Sequence, residues 1–330
     1  MATILVTGAA GFVGAATSHA LLARGDHVVG VDNLNAYYDV TLKQARLEKL
    51  TAHANFVFHK LDIADRDGML KLAEAFPRIK GIVHLAGQAG VRYSLTDPYA
   101  YVTANVMGQV VLLELARKLK SLKHFVYASS SSVYGGNTKL PFCVDDPVEQ
   151  PNSLYAATKR AGELFGYTYA HLYGIPATGL RFFTVYGPWS RPDMAPIIFA
   201  KAIIAGEPIK VFNRGEMWRD FTYIDDIVNG VVRVLDRPPA DNRKDGGTPP
   251  HKIYNLGNHR SEKLTDFIAG IESALQRKAI ITLEPMQPGD VARTYADIDT
   301  SRRDLGYEPA TPISAGIPKF IAWYTNYYGV

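Results

Sequence analysis

A tyrosine and a lysine four positions apart are the first residues in this sequence whose types and spacing suggest chemistry. Tyr155 and Lys159 stand in the run Tyr-Ala-Ala-Thr-Lys, which on a helix places both side chains on one face, one turn apart. A phenol with an ordinary pKa of about 10 is a poor base at neutral pH. A nearby ammonium charge favours the phenolate, which can then accept a proton from an alcohol. The same spacing also occurs in surface helices with solvated side chains, so other segments must decide between the two interpretations.

A glycine-rich turn near the amino terminus predicts a dinucleotide site. The segment Thr7-Gly8-Ala9-Ala10-Gly11-Phe12-Val13-Gly14 follows an apolar strand and opens a helix. Its glycines permit a tight turn and let backbone N–H groups reach a pyrophosphate at the helix N-terminus. Asp32 ends the second strand, 18 residues past Gly14, where a carboxylate accepts hydrogen bonds from the adenosine ribose. A carboxylate there repels a 2′-phosphate, and no arginine follows before Arg46, so the sequence favours NAD over NADP.

The elements that must position these groups alternate between apolar strands and helices. The apolar runs predict strands over 4–7, 28–31, 56–61, 81–85, 124–129 and 177–183, and the intervening segments predict helices over 15–24, about 41–52, 104–119 and 154–172. Fully apolar strands that alternate with helices are typical of a parallel sheet covered on both faces. The sequence therefore predicts an α/β fold, a doubly wound parallel Rossmann sheet with a smaller α/β substrate-binding lobe. The Pro- and Gly-rich segment 237–250 predicts a mobile surface loop.

Composition restricts the class of protein. The 330 residues are 47% hydrophobic and 21% charged, enough for one large core and a smaller lobe. The formal net charge of +4 is interspersed along the chain, which argues against a nucleic-acid partner. Cys143 is the single cysteine, so no intrachain disulfide forms, as in proteins of a reducing compartment. No apolar run reaches the roughly 18 residues of a membrane span. We expect a cytoplasmic protein with no membrane partner and no metal.

The glycine spacing GxxGxxG, followed by the Tyr155–Lys159 pair, resembles the extended branch of the short-chain dehydrogenase/reductase family. The resemblance implies that Ser130, at the end of the fifth strand in the run Ser-Ser-Ser-Ser-Val-Tyr-Gly, supplies a hydroxyl that bonds the reacting carbinol. It also implies contacts with the cofactor after the third and fourth strands, although Gly87 stands where this branch usually has a second alanine. The predicted cofactor-binding residues are Gly8, Gly11, Phe12, Val13, Gly14, Asp32, Asn33, Asp62, Ile63, Leu85, Ala86, Gly87, Tyr155 and Lys159.

The residues that follow Ser130 bear on the reaction. Dehydratases of the resembled family have an acidic pair there, and nucleotide-glucuronate decarboxylases have a glutamate. This chain has Ser131 and Ser132, which are neither acids nor bases near neutral pH. The resemblance therefore implies hydride and proton transfer at one carbon, with return to either face, which is 4-epimerisation.

Four segments, 31–39, 88–94, 181–189 and 287–291, are similar to the UDP-glucuronate 4-epimerases within that family. The resemblance implies a UDP-sugar substrate, the pair UDP-glucuronate and UDP-galacturonate. Candidate donors to the sugar carboxylate are Arg92, Ser131, Ser132, Thr184 and Arg191, of which Arg191 could instead pair with Asp193. For the nucleotide, the resemblance implies Arg219 at the diphosphate, Val211, Phe212 and Asn213 at uracil, and Asp290 at the ribose. Arg293 is either a second phosphate contact or a solvated surface charge.

Other interpretations remain open at this point. The same residues would serve a UDP-sugar 4-epimerase for neutral or N-acetylated sugars, and a UDP-glucuronate decarboxylase or a non-catalytic NAD-binding regulatory protein are further alternatives. The resemblance also implies a homodimer through helices 104–119 and 154–172, with Leu113 and Leu164 on their apolar faces. We expect an NAD-binding Rossmann domain over 1–183 with returning segments within about 215–257, and a nucleotide-sugar lobe over about 184–214 and 258–330.

Overall fold

The computed structural model describes residues 1–287 and 289–330, and parallel strands dominate it. The strands are β1 (Thr3–Thr7), β2 (His27–Asp32), β3 (Phe56–Lys60), β4 (Ile79–His84), β5 (His124–Ser130), β6 (Ala177–Phe182), β7 (Thr184–Tyr186), β8 (Pro208–Val211), β9 (Trp218–Arg219), β10 (Phe221–Tyr223), β11 (His251–Leu256), β12 (Glu262–Lys263) and β13 (Ile280–Leu283). Seven of them form one sheet in the order β3-β2-β1-β4-β5-β6-β11, and every neighbouring pair is parallel.

Helices connect the strands. They are α1 (Phe12–Ala23), α2 (Val40–Thr51), α3 (Arg66–Ala75), α4 (Pro98–Tyr101), α5 (Gly108–Lys118), α6 (Leu154–Tyr173), α7 (Ala195–Ala205), α8 (Ile224–Leu235), α9 (Leu264–Leu275), α10 (Asp299–Leu305) and α11 (Ile313–Tyr328). The carboxyl ends of β1, β2, β4 and β5 meet at one edge of the sheet, because parallel strands all point the same way.

The sheet is buried on both faces. Side chains alternate between the two sides of a strand, so Leu5 and Val6 in β1 point into two different apolar clusters, and both are fully buried. This arrangement confirms the predicted α/β fold with a doubly wound parallel sheet. Beyond it, the short strands pair as β7 with β10, β8 with β13 and β9 with β12.

The predicted strands agree with the structure to within two residues, whereas the helix predicted over 104–119 was wrong at its start. The chain already becomes helical at Pro98, where the Asp97 carboxylate accepts a hydrogen bond from the N–H of Ala100. A π-helical segment, Val102–Met107, then connects α4 to α5. It places the amide of Asn105 against the backbone of Gln88, 2.8 Å from its nitrogen and 3.0 Å from its oxygen.

The segment 237–250 has the predicted loop character, with one short 3₁₀ turn at Arg243–Asp245. Among the helices of the described residues, none is both long and apolar enough to cross a membrane.

Candidate active site

The end of β5 and the first turn of α6 bring the three predicted catalytic residues together. Ser153 caps α6 by accepting a hydrogen bond from the N–H of Ala156, which fixes the turn that carries Tyr155. The hydroxyl of Ser130 and the phenol of Tyr155 line the same cavity, and Ser130 lies near enough to act on the pKa of Tyr155. The ammonium of Lys159 donates to the carbonyl of Ala128, 3.1 Å away, in the same strand as Ser130. All three line one cavity of about 390 Å³.

Burial and one arginine set the protonation behaviour of this group. Burial raises the pKa of Tyr155, while the hydroxyl of Ser130 and the positive charge of Arg191 act in the opposite direction. Burial, followed by the charge of Arg191, lowers the pKa of Lys159 to about 8. The sequence suggested that the charge of Lys159 favours the phenolate of Tyr155. In the structure, the charge of Lys159 is not the dominant influence on the pKa of Tyr155. Ser130 and Arg191 are the groups that oppose the effect of burial on the pKa of Tyr155.

The glycine-rich turn has the geometry of a dinucleotide cradle. Gly8 has a φ of +70°, and a Cβ added to it would lie 2.8 Å from the nitrogen of Ala86 in the loop after β4. A Cβ on Gly14 would collide with the carbonyl of Gly8. No side chain caps the start of α1 at Gly11, so its first N–H groups point into the cavity region. The carboxylate of Asp32 lies beside this turn and accepts from the N–H groups of Ala10, at 3.1 Å, and Leu34, at 2.8 Å.

Every predicted cofactor residue lines that same cavity. Asn33 and Asp62 are hydrogen-bonded to each other across 2.8 Å, which ties the ends of β2 and β3 together. Gly87 has a steric reason to lack a side chain, because a Cβ there would lie 2.6 Å from the side-chain oxygen of Asn105. The cavity-lining cofactor residues are Gly8, Gly11, Phe12, Val13, Gly14, Asp32, Asn33, Asp62, Ile63, Leu85, Ala86, Gly87, Tyr155 and Lys159. A glycine cradle with a carboxylate at the ribose position fits NAD.

A second cavity, of about 1270 Å³, adjoins the first and contains most of the predicted substrate residues. Thr184 and Arg191 line both cavities, and Ser131 and Ser132 line the first. The N–H of Thr184 is held by the carbonyl of Asp220, 3.1 Å away. The second cavity is also lined by Arg92, Phe212, Arg219 and Asp290.

Asp290 lies between two arginines in the second cavity. Its carboxylate accepts from Arg219 at 2.7 Å and is 3.6 Å from Arg92. The guanidinium of Arg92 also lies over the ring of Phe212, 4.5 Å from its centroid. Two guanidinium groups beside one aromatic ring suit a diphosphate joined to a base, since arginine binds phosphate oxygens and the ring offers a stacking surface.

Two predicted uracil contacts do not line either cavity. Val211 is a core residue with 1% of its surface exposed, and the amide of Asn213 donates to the carbonyl of Glu216 at 2.7 Å. Arg293 donates to the hydroxyl of Ser261. Pro288, part of the segment 287–291, lies outside the described residues.

The structure contains the ion pair between Arg191 and Asp193, which was predicted as the alternative to a contact with the sugar carboxylate. Its guanidinium makes two hydrogen bonds of 3.0 Å to the carboxylate of Asp193, and the phenol of Tyr37 donates to the same carboxylate at 3.1 Å. Arg191 nevertheless faces the reaction site, since it lines both cavities.

Sequence reasoning gave no role to two charged residues of α2. Lys43 and Arg46 are both buried, and Lys43 donates to the backbone and side-chain oxygens of Asn35. Both lie on the helix face that also buries Leu42, Leu47 and Leu50. A charged side chain at an apolar-face position was the signal available in the sequence.

Comparison with known proteins agrees with this geometry. Residues 4–257 match the NAD dependent epimerase/dehydratase family. This chain belongs to that family. The match confirms the predicted extended short-chain dehydrogenase/reductase fold and the dependence on NAD.

Relatives of this epimerase/dehydratase include sugar-nucleotide epimerases. UDP-glucuronate 4-epimerase 4 of Arabidopsis thaliana is 47% identical, over 99% of this chain and 76% of the relative. The crystal structure of UDP-glucuronic acid 4-epimerase from Bacillus cereus, in complex with UDP-glucuronic acid and NAD, has a TM-score of 0.90 at 34% identity, covering 99% and 100% of the two chains. UDP-glucose 4-epimerase from Thermotoga maritima, with UDP-glucose, has a TM-score of 0.86 at 27% identity, covering 99% of each chain.

Proposed function

We propose that this protein interconverts UDP-glucuronate and UDP-galacturonate by reversible oxidation at C4 of the sugar. The observation that carries the proposal is the lining of the reaction site. Within the described residues, the carboxylates that line the first cavity are Asp32 and Asp62, both at its cofactor end, whereas hydroxyl groups and Arg191 surround Tyr155. Elimination of water needs an additional acid or base beside the tyrosine, so this lining favours epimerisation over dehydration.

The relatives support the same choice of substrate. The Arabidopsis relative and the Bacillus cereus structure are named for 4-epimerisation of UDP-glucuronate, and both match almost the whole of this chain. Ser131, Ser132, Thr184 and Arg191 offer the hydrogen-bond donors that a sugar carboxylate requires.

The chain's own residues divide the work of the reaction. Bound NAD supplies the hydride acceptor and, later, the hydride donor. Tyr155 accepts the proton of the C4 hydroxyl, and Ser130 hydrogen-bonds the same oxygen as it becomes a carbonyl. Lys159 is held at the carbonyl of Ala128, where it would hold the nicotinamide ribose and contribute positive charge beside the tyrosine. The 4-keto ring would then rotate about its diphosphate linkage and receive the hydride on the opposite face of C4, while Tyr155 returns its proton to the C4 oxygen.

Retention of the carboxylate needs an explanation, because a 4-keto uronic acid is a β-keto acid and loses CO₂ readily. Decarboxylation requires the C5–carboxylate bond to align with the π system of the ketone. We propose that Thr184, with Ser131 and Ser132, holds this bond near the ring plane and so prevents that alignment. Arg92, Arg219, Phe212 and Asp290 would hold the UDP moiety, with Asp290 exchanging its arginine partners for a ribose hydroxyl.

The purified protein incubated with UDP-glucuronate, with no NAD added, tests the proposal. We expect UDP-galacturonate as the product, no CO₂, and turnover that draws on NAD retained by the protein. A UDP-pentose as main product would indicate a decarboxylase. Faster turnover of UDP-galactose than of UDP-galacturonate would favour a neutral-sugar epimerase.

We further propose a homodimer through α5 and α6. Leu164 of α6 is 50% exposed, and the helical segment that leads into α5 exposes Val102 and Met107 at 47% and 48% and Tyr99 of α4 at 81%. Leu113, predicted to belong to this face, is instead fully buried within the subunit, because it packs against β5. The division into a Rossmann domain over 1–183 and a lobe over about 184–214 and 258–330, and the cytoplasmic location, remain predictions.

A further inference from the structure

A buried arginine connects the two halves of the reaction site. Arg46 lies on α2 with 2% of its surface exposed. Its guanidinium donates to the carbonyl of Ala10 at 3.0 Å, the phenol of Tyr38 at 2.9 Å and the carbonyl of Trp189 at 2.6 Å. Within the described residues no carboxylate is paired with it. The positive charge is therefore balanced by backbone and phenol oxygens alone, an arrangement that is unfavourable unless each contact is made.

These acceptors belong to the two segments that must be aligned for the reaction. Ala10 is in the glycine-rich turn, and its N–H is bonded to Asp32. Trp189 begins the segment 189–193, which carries Arg191, and it has a φ of +67°, a conformation rare for a residue with a side chain. The bond from Arg46 lies at this strained residue.

The other end of the segment 189–193 is fixed separately. Asp193 accepts a hydrogen bond from Tyr37 and two from Arg191. Arg191 therefore lies between two points of attachment, and both attachments lead to residues that follow β2. Its guanidinium lines the same cavity as Tyr155 and Thr184.

We infer that Arg46 is a positioning residue that joins the cofactor turn to the segment 189–193 and thereby fixes Arg191 relative to both the cofactor and the sugar. The inference rests on the proposed function for its product readout but not for its cofactor readout. A role for Arg46 in binding a 2′-phosphate is incompatible with its burial and with its bonds to four protein oxygens, the fourth being the carbonyl of Ser190 at 3.4 Å.

The test compares Arg46→Met and Arg46→Lys with Lys49→Met. Lys49 is an exposed residue of the same helix whose ammonium lies over the ring of Trp189, 4.8 Å from its centroid, without bonding the backbone of the segment. NAD per purified subunit, kcat, KM for UDP-glucuronate and the ratio of CO₂ to epimer are measured for each.

We expect Arg46→Met to retain less NAD and to lose about tenfold or more in kcat, because small misplacements of a reacting group have effects of that size. The ratio of CO₂ to epimer should rise, and Lys49→Met should behave as wild type. If Arg46→Met does not fold, Arg46→Lys gives the decisive result, since lysine keeps the charge but cannot reach two carbonyl groups as a fork does.

A second arm tests whether the effect passes through Arg191. In an Arg191→Met background, Arg46→Lys should change the product ratio no further, whereas independent roles would give additive changes. A folded Arg46 variant with a lower melting temperature but unchanged NAD content, kcat and product ratio would overturn the inference. No turnover by the wild type would instead contradict the proposed function, and NAD content would still test the link to the cofactor turn.

Discussion

Burial disfavours the charged forms of individual side chains in the candidate active site. The roles proposed for Tyr155 and Lys159 require their charged forms, yet burial disfavours the charged form of both. Ser130 and Arg191 partly offset this for the tyrosine, but Arg191 adds to the effect on the lysine. A site of this kind is maintained for chemistry at the expense of folding free energy.

Lys159→Met is therefore expected to abolish turnover and raise the melting temperature at pH 7. The folded-state pKa of Lys159, about 8, is below the ordinary value of 10.5, so the folded protein binds fewer protons than the unfolded chain between those pH values. The charged lysine thus destabilises the wild type most below pH 8. The free energy of unfolding of the wild type then rises between pH 8 and pH 10.5. The advantage of the variant, about 3 kcal/mol at pH 7, should shrink at pH 10.

Thermal unfolding at the two pH values measures this difference. Lys118→Met, at an exposed position of α5, is the matched control and should leave both melting temperatures unchanged. An advantage that grows between pH 7 and pH 10 would contradict the sign of the argument.

Thr184→Val keeps the shape of the side chain and removes its hydroxyl. If that hydroxyl helps to hold the C5–carboxylate bond near the ring plane, the variant should release more CO₂ per epimer formed than the wild type. Headspace CO₂ and separation of the nucleotide sugars give the ratio. Thr168→Val, on the exposed side of α6, should leave the ratio unchanged. Equal CO₂ release by Thr184→Val and wild type would remove Thr184 from the mechanism.

At the scale of elements, a buried ion pair fixes the catalytic helix to the catalytic strand. Glu163 lies one turn after Lys159 on α6 and accepts a hydrogen bond of 2.6 Å from Ser129, the neighbour of Ser130. The same carboxylate is paired with Arg181 of β6 through bonds of 2.8 and 3.0 Å, and both residues are at most 2% exposed. Burial would raise the pKa of Glu163, but the bond and charge of Arg181 lower it on balance.

Glu163→Gln should lower the free energy of unfolding by about 3 kcal/mol, because it leaves the Arg181 charge buried without its counter-ion. Urea unfolding measures the change. The matched control is Glu308→Gln, which removes an ion pair to Arg302 at a carboxylate whose side chain is 62% exposed. The control should change the free energy by less than about 1 kcal/mol. Similar losses in both variants would show that burial of the Glu163 pair is energetically unimportant.

Among these elements, the features with a local sequence signal could be predicted. The features that depend on tertiary contacts could not. The strand that ends at Asp32 and the turn from Gly8 to Gly14 have strong local signals, so the sheet and the dependence on NAD could be predicted. The roles given to Ser130, Tyr155 and Lys159 remain predictions, although the three side chains line one cavity. Asn105 was not, because a π-helical turn arises from packing against Gln88 rather than from helix propensity. The position of Arg46 between the cofactor turn and the segment 189–193 could not be predicted either, because its acceptors at Ala10 and Trp189 are far apart in the chain.

At the scale of the whole molecule, one group of exposed apolar side chains comes from α4, α6 and the segment that leads into α5, and a second group comes from β13. Leu164 is 50% exposed there, and Tyr99 is the most exposed of the large aromatic residues in the described ranges. Contiguous exposed apolar surface on a globular protein marks an interaction site, which is the basis of the proposed homodimer.

Leu164→Glu should convert the dimer into a monomer, because two buried carboxylates would face each other near a two-fold axis. Light scattering coupled to size-exclusion chromatography measures the mass. Ile281→Glu, at an exposed apolar position of β13 that is 47% exposed, introduces the same charge elsewhere and should leave the dimer intact. A monomeric wild type at micromolar concentration, or dissociation by Ile281→Glu alone, would contradict the assignment of the interface.

The parallel order of the central sheet also governs how this protein acquires its activity during folding. The cradle for NAD takes Gly8 from the turn after β1, Asp32 from β2, Asp62 after β3 and Lys159 from α6, so no short fragment of the chain contains it. Parallel strands joined by long crossovers make mostly non-local contacts and assemble slowly. NAD affinity should therefore return only with the final step of refolding, and retained cofactor serves as a reporter of the native state, stabilising that state alone.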